Sequence, residues 1–393
     1  MKRHCSIPAM ILCVMMICAA FASCSGSDDK GGISAKGLAT QHESEFGGIY
    51  IMITIDEFNG LGFSYGDSVD IIFSNGYTLE DIPYYNGYYV DAGEVLLVAY
   101  PGYDYIKAAV NYGEDLWETG GLQAMPRTDL WAAAGIEEHT TATVILKEKG
   151  KYADVQTARD LSYSDDRNEY PSDEAFANFR MITVGDISPG VLYRSASPCD
   201  NQHCRAPYVD ELIETAGIAC ILDLADSFLK IDGYIQTEGF SSDYFLSLYR
   251  DGKVIPLALT MNYSSADFRD KIAYGLTELS RMDGPYLIHC TEGKDRTGFV
   301  CMLLEALAGA DYRQIADDYM ITYQNYYRIS RTQDSDKYDV ILENNLDAML
   351  YHMIGDGTVD LADADLARYA REYLIGCGMT EDDIDALLRR ITQ

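Results

Sequence analysis

Apolar and polar positions divide the chain into stretches of different character. Ile7 to Phe21 is almost unbroken in its hydrophobicity, whereas Ser25 to Lys36, rich in Ser, Gly, Asp and Lys, shows no periodicity. From Gly47 to about residue 150, short runs rich in β-branched and aromatic residues alternate with Gly, Asn and Pro. The runs Gly47–Ile55, Asp67–Phe73, Glu94–Tyr100 and Thr141–Leu146 predict strands of one small β-rich domain over residues 45–150, a sandwich or a barrel. Asn86-Gly87, between Tyr84-Tyr85 and Tyr88-Tyr89, predicts a two-residue hairpin. Its tyrosines read as cross-strand pairs filling a sheet face, with a carbohydrate- or peptide-binding surface as the alternative. Lys151 to Asp173 is polar and acidic and reads as a linker. Beyond it, the apolar runs Cys220–Leu222 and Tyr286–Ile288 alternate with helical stretches, Asp267–Met282 among them. From Asp317 onward the pattern is helical, and Met379–Asp383 is a capped start to the last helix. This alternation predicts an α/β domain over residues 174–393, a mainly parallel sheet flanked by helices. No internal repeat is present.

The ends of the first apolar run give it a meaning. Met1-Lys2-Arg3-His4 precedes it and Ala22-Ser23-Cys24 follows, the arrangement of a secretory signal over residues 1–23. The run is shorter than the roughly 20 residues of a membrane-spanning helix. Cys24 resembles the acylated cysteine of a bacterial lipobox, although Phe21 stands where Leu is usual. A lipid anchor at Cys24, a flexible tether over residues 24–44 and a place on the outside of a bacterial membrane are therefore expected.

The segment His289-Cys290-Thr291-Glu292-Gly293-Lys294-Asp295-Arg296-Thr297-Gly298 carries the chemistry. It follows the strand-like Tyr286-Leu287-Ile288 and runs into the helical stretch Phe299–Leu307. A tight loop between strand and helix aims successive backbone N–H groups, and the positive end of the helix, at one point, where an anion such as phosphate sits. The same field favours the thiolate of a cysteine at the loop's base. Arg296 can hold two phosphate oxygens in its planar fork. Gly293 and Gly298 permit the turn and a close helix approach. Lys294 adds a cation, Glu292 opposes it, and Thr297 can set its hydroxyl near the sulfur. A proton donor for the leaving oxygen must lie within hydrogen-bond reach, and the candidates are Asp295 in the loop and Asp223 or Asp226 after the preceding strand.

This loop resembles the signature of the protein tyrosine phosphatase superfamily, His-Cys-x5-Arg-Ser/Thr. Its Gly-Lys-Asp-Arg-Thr-Gly version looks like the atypical bacterial tyrosine/lipid phosphatases. Upstream, Asn178-Phe179-Arg180 and Gly185–Ala196 are similar to the segment that opens those domains, and Ile315–Met320 and the last helices also fit. Where the family usually reads Asp-Leu-Arg, this chain has Asp223-Leu224-Ala225. The resemblance implies the cysteine phosphatase fold and a phosphocysteine intermediate on Cys290. It implies that Arg296 and the amides of Thr291–Gly298 bind the phosphate, that His289 hydrogen-bonds within the loop, and that Asp295 is the acid. No cofactor or metal is implied, and Cys199 and Cys204 lack a second ligand pair at zinc spacing. They are expected as a local disulfide or two free thiols, and Cys301 as core packing. Phosphotyrosine peptides or phosphoinositides are the implied substrates. The alternatives are an inositol-phosphate hydrolase of phytase type on the same loop, and an inactive phosphoester-binding surface protein. A sulfur-transfer or arsenate-reducing enzyme usually lacks the His before the Cys and the Arg-Thr-Gly flank.

Charge narrows the partners. The chain carries 30 basic and 62 acidic residues, net −32, and removal of residues 1–23 takes Lys2 and Arg3 away and leaves −34. Such a field repels nucleic acid and disfavours docking onto anionic lipid. A phosphorylated small molecule or an exposed phosphopeptide suits it better.

Overall fold

Seven short strands with one inward face account for the N-terminal region: β1 (Ser34–His42), β2 (Ile49–Thr54), β3 (Ser68–Phe73), β4 (Thr78–Tyr85), β5 (Val95–Val98), β6 (Tyr105–Val110) and β7 (Thr141–Glu148). This computed structural model describes residues 32–42, 48–90, 93–111, 134–137, 139–263 and 265–393. The expected signal over residues 1–23 and the expected anchor Cys24 lie outside the described residues. The strands close a barrel in the order β1-β2-β6-β5-β4-β3-β7, so of the two expected architectures the barrel is the one formed. Alternation aims Ile51, Val69, Ile71, Ile106, Ala142 and Val144 inward. Helix α1 (Ile55–Gly60), started by a Thr54–Glu57 capping box, adds Phe58, which stacks on Phe63 at 4.0 Å.

Three expectations for this region are corrected. Residues 24–44 are not all tether: β1 pairs with both β2 and β7 and completes the barrel. Only Ala35 of β1 is buried, so no apolar alternation marks it. The hairpin at Asn86-Gly87 does not form, because β4 pairs in parallel with β5, Tyr84 opposite Leu97 and Tyr85 opposite Val98. The chain bends at Gly87 and Tyr89 folds back on Tyr85, ring centroids 5.5 Å apart. Residues 151–173, read as a linker, hold helix α2 (Ala153–Arg159) and a 3₁₀ turn at Arg167–Glu169. Strand β6 also escaped notice: it is buried on both faces, Lys107 included, and shows no period of two.

The second half is the expected α/β unit. Its order is α3 (Asp173–Phe176), β8 (Arg180–Ile182), β9 (Leu192–Ser195), α4 (Ala206–Ala216), β10 (Cys220–Asp223), α5 (Phe228–Ile235), α6 (Asp243–Arg250), β11 (Val254–Pro256), α7 (Ala266–Arg281) and β12 (Tyr286–His289). Then follow α8 (Asp295–Leu307), α9 (Tyr312–Tyr327) and α10 (Ser335–Ile341), which runs through a π-helical turn at Leu342–Asp347 into α11 (Ala348–Ile354), and finally α12 (Leu366–Gly376) and α13 (Glu381–Ile391). The sheet order is β11-β10-β12-β9-β8, parallel throughout except for β8.

All four residues of β10 and of β12 are buried, as in a parallel sheet covered on both faces. Leu222 and Ile288 pack towards α7 and α8, while Ile221 and Leu287 pack towards α4, α5 and α6. Helix α8 is buried from Thr297 to Leu307, and a helix that is apolar all round belongs in a core. Side-chain caps start α7 at Ser265 and α13 at Thr380. No described helix is long and apolar enough to cross a membrane.

Candidate active site

β12 ends at His289, level with Asp223 of β10 and Ser195 of β9. The loop 290–294 therefore starts at the carboxyl edge of the sheet and feeds α8. Cys290 forms its floor, 3% exposed. Gly293 has φ +68°, and a Cβ there would lie 2.2 Å from Ser195 O, so only glycine lets the loop rest on β9.

The direction of the loop's peptide groups is set from outside. Thr291 O accepts from Ser197 N at 3.1 Å, and Lys294 O from Gly298 N at 2.7 Å. Glu292 O accepts from Tyr326 Oη at 2.7 Å. Gly293 O accepts from Arg194 Nη2 at 3.0 Å and Asn178 Nδ2 at 3.1 Å. With the carbonyls turned outward and engaged, the N–H groups of residues 291–294 are left for the interior, and among the described residues none donates to a protein acceptor. This is a nest of amide dipoles over Cys290.

Behind the loop lies a buried ion network. Asp318 of α9 pairs with Arg180 and Arg194, both at 3.0 Å. Burial opposes the Asp318 charge, but Arg180 and Arg194 outweigh it and hold the carboxyl down at about 2. Glu305 of α8 is pushed well above the usual carboxylate range by burial and by Asp318. This disfavours a second negative charge beside Asp318.

The residues singled out in the sequence separate into two places. At the loop, Arg296 is held by donating from Nη1 to Leu259 O at 3.1 Å and from Nη2 to Thr291 Oγ1 at 3.3 Å. Asp295 is partly exposed at the start of α8. Lys294 Nζ is met by Glu292 at 3.2 Å, Asp295 at 3.7 Å and Tyr327 Oη at 3.1 Å. Burial works against the Lys294 ammonium, yet Asp295 and Glu292 more than offset it and raise its pKa. Its charge is thus largely answered within the protein. The Thr297 hydroxyl, fully buried, has no hydrogen-bond partner among the described residues, sulfur included, so the expected contact with Cys290 is not made. Gly298 meets Tyr319 of α9, where a Cβ would come within 2.8 Å.

Asp223 and Asp226 lie behind the loop, both fully buried, where neither can reach an ester oxygen. Asp223 Oδ1 instead accepts from Ala225 N at 2.9 Å and Asp226 N at 3.0 Å. His289 Nε2 is 3.8 Å from Asp223 Oδ2, and Nδ1 lies 3.3 Å from Cys290 O. Burial takes His289 down to about 4, so the imidazole is neutral. Burial pushes Asp223 up to about 6, and burial with the nearby Asp223 pushes Asp226 up to about 7. Cys199, a free thiol 3.7 Å from Asp226 Oδ2, is raised further still by burial, and Cys204 is also free. Cys199, Asp223 and Asp226 are the one cluster at metal-ligand spacing among the described residues.

This gives a pH-dependent expectation. Folded Asp226 keeps its proton up to about 7, whereas the unfolded chain releases it near 3.8. In that window the unfolded state binds fewer protons, so Asp226 costs stability as pH rises. Asp226→Asn stays neutral, and should gain roughly 2–4 kcal/mol relative to the parent at pH 8 over pH 4. Urea unfolding of both proteins at the two pH values checks it, and a gain independent of pH contradicts it.

The loop itself is contiguous in sequence, but its supports are not. Asn178 and Arg180 lie at β8, Arg194 on β9, and Asp318 and Tyr326 on α9; the resemblance upstream and downstream touched all of them but Tyr326, without a role. Three facts from known proteins bear on the site. Residues 235–393, about two fifths of the chain, match a family model described as the tyrosine phosphatase family. A tyrosine-protein phosphatase of Nostoc commune is 41% identical over 58 residues, which are 15% of this chain and 19% of that protein. The chain thus spans about a fifth of the length of this curated relative. The solved core catalytic domain of the PP-IP phosphatase SIW14 from S. cerevisiae, in complex with citrate, is 20% identical, covering 42% of this chain and 94% of that one. Its TM-score of 0.24 gives that likeness no weight.

Proposed function

We propose that this chain, whose C-terminal region is of the tyrosine phosphatase family, hydrolyses phosphomonoesters of phosphotyrosine peptides or phosphoinositides through a cysteine nucleophile. The observation that carries the reading is the loop's outward carbonyls, which leave the amides of residues 291–294 and the pinned Arg296 gathered over Cys290. In the first step the Cys290 thiolate attacks phosphorus, a P–S bond forms, and the P–O ester bond breaks. The departing oxygen takes a proton from Asp295, a reading supported by its partial exposure at the start of α8. In the second step water attacks phosphorus and gives a proton to the Asp295 carboxylate, the P–S bond breaks, and phosphate leaves as the thiolate is restored. Amide dipoles and the guanidinium stabilise the charge on the equatorial oxygens in both steps.

Release of phosphate from p-nitrophenyl phosphate, a phosphotyrosine peptide and a soluble phosphoinositide, with Cys290→Ser as control, tests the activity. Release from none of them, or release that Cys290→Ser retains, overturns it. Asp295→Asn tests the acid. An alkyl phosphate needs its leaving oxygen protonated and should lose about 10²-fold in kcat, whereas p-nitrophenyl phosphate should lose less than about tenfold. Equal losses on both remove Asp295 from that role.

A further inference from the structure

In the loop between β5 and β6, Pro101-Gly102 stands between two tyrosines. Proline presets its own φ and glycine takes a positive one, +94° at Gly102, the pattern of a type II turn. Tyr103 N closes the turn by donating to Tyr100 O at 2.9 Å, and the two rings come within 5.5 Å of each other. Tyr88 packs on the Tyr100 ring at 5.9 Å, and its hydroxyl lies 3.2 Å from that of Tyr103. Ile55 N donates to Asp104 O at 3.3 Å, which ties the loop to the start of α1.

This loop and the turn from β2 into α1 border a cleft of about 630 Å³, within the roughly 300–1,000 Å³ of small-molecule sites. Its walls include Asp56, Tyr65, Asn86, Tyr100 and Asp104. Tyr100 is 45% exposed, and with Tyr88 and Tyr103 behind it the ring is a fixed apolar platform. Tyr65 is held by Tyr84, ring centroids 5.1 Å apart. Asp56 and Asp104 are exposed, and their carboxylates have no hydrogen-bond or ion-pair partner among the described residues. Asn86 Oδ1 accepts from Gln156 Nε2 at 2.7 Å, while its Nδ2 has no acceptor among the described residues. The cleft thus offers a ring face, two strong acceptors and one amide donor.

No Lys, Arg or His is among the described residues that line it, and a net charge of −32 repels anions, so a phosphoester is a poor occupant. The closed barrel leaves no free strand edge for a peptide to extend. A cation has little to gain from the tyrosines. Buried Lys107 already sets its Nζ 5.7, 6.0 and 5.2 Å from the ring centroids of Tyr50, Tyr88 and Tyr103. What fits is a neutral molecule with an apolar C–H face for the ring and hydroxyls around its edge, which donate to the carboxylates and accept from the amide. We propose that this cleft binds neutral carbohydrate, with one sugar ring stacked on Tyr100. The site shares no residue with the 290–294 loop and stands apart from the phosphatase reading.

Calorimetry and saturation-transfer NMR on the whole chain test it, with neutral trisaccharides of glucose, galactose, mannose, xylose and N-acetylglucosamine, and with choline as a cationic probe. At least one trisaccharide should bind with Kd below about 1 mM, its C–H protons showing the strongest transfer. Tyr100→Ala should weaken that binding about tenfold or more, whereas Tyr100→Phe, which keeps the ring, should stay within about threefold of the parent. Asp104→Asn, which exchanges a charged acceptor for a neutral one, should weaken it about 3–10-fold. Both positions are exposed, so an unchanged melting temperature separates lost binding from lost fold; should Tyr100→Ala lower it, Asp104→Asn decides alone. Binding of no trisaccharide overturns the proposal, and so does equal affinity in the parent, Tyr100→Ala and Asp104→Asn. Choline bound in preference to every sugar makes this a cation site and overturns it as well.

Discussion

Cys290→Ser should lower turnover of an aryl phosphate by about 10⁴-fold or more, the scale expected when the nucleophile of a concerted site is removed. The substitution is close to isosteric at a position 3% exposed, so packing and the loop's shape persist. A serine hydroxyl is not ionised near neutrality, and His289 is a poor base for it, because burial weakens its basicity and its ring nitrogens face Cys290 O and Asp223. Phosphate binding should survive, since the amides and Arg296 are untouched. Rates within tenfold of the parent would mean that another group attacks phosphorus.

Asp318→Ala should cost about 3–5 kcal/mol, the usual consequence of taking one partner from a buried ion network. Arg180 and Arg194, both well buried, would be left facing each other without their carboxylate. Arg194 also donates to Gly293 O, so the loop loses its backing as the protein loses stability. At roughly 2–4 °C per kcal/mol for a unit of this size, the melting temperature should fall by about 10 °C. The sign with pH follows from the depressed carboxyl. Asp318 contributes stability that is fully present above the unfolded value near 3.8 and is lost as pH falls towards about 2. Its slope is thus opposite to that of Asp226. Calorimetry at pH 7 and at pH 3 checks both parts, and an unchanged melting temperature at pH 7 contradicts them.

The sheet and the loop were legible because their signals are local. β10 and β12 are short apolar runs, α8 is apolar all round, and the loop's Cys, Gly, Arg, Thr and Gly stand within ten consecutive residues. What escaped depends on pairing at a distance. β1 buries only Ala35 and becomes a strand because β2 and β7 accept it. Tyr84-Tyr85-Asn86-Gly87 has the chemistry of a hairpin, but β5 offers β4 a parallel partner. Asp223 and Asp226 looked like proton donors because sequence spacing does not say which side of a strand end a carboxyl takes; both are sealed behind the loop.

The most direct test of the central claim is to quench the reaction with an aryl phosphate within its first turnovers and to map the phosphorylated peptide by mass spectrometry under conditions that preserve P–S bonds. The account predicts phosphate on the sulfur of Cys290, formed in the parent and in Asp295→Asn and absent from Cys290→Ser. Phosphate on any other residue, or steady turnover with no covalent adduct when breakdown is slowed, contradicts it.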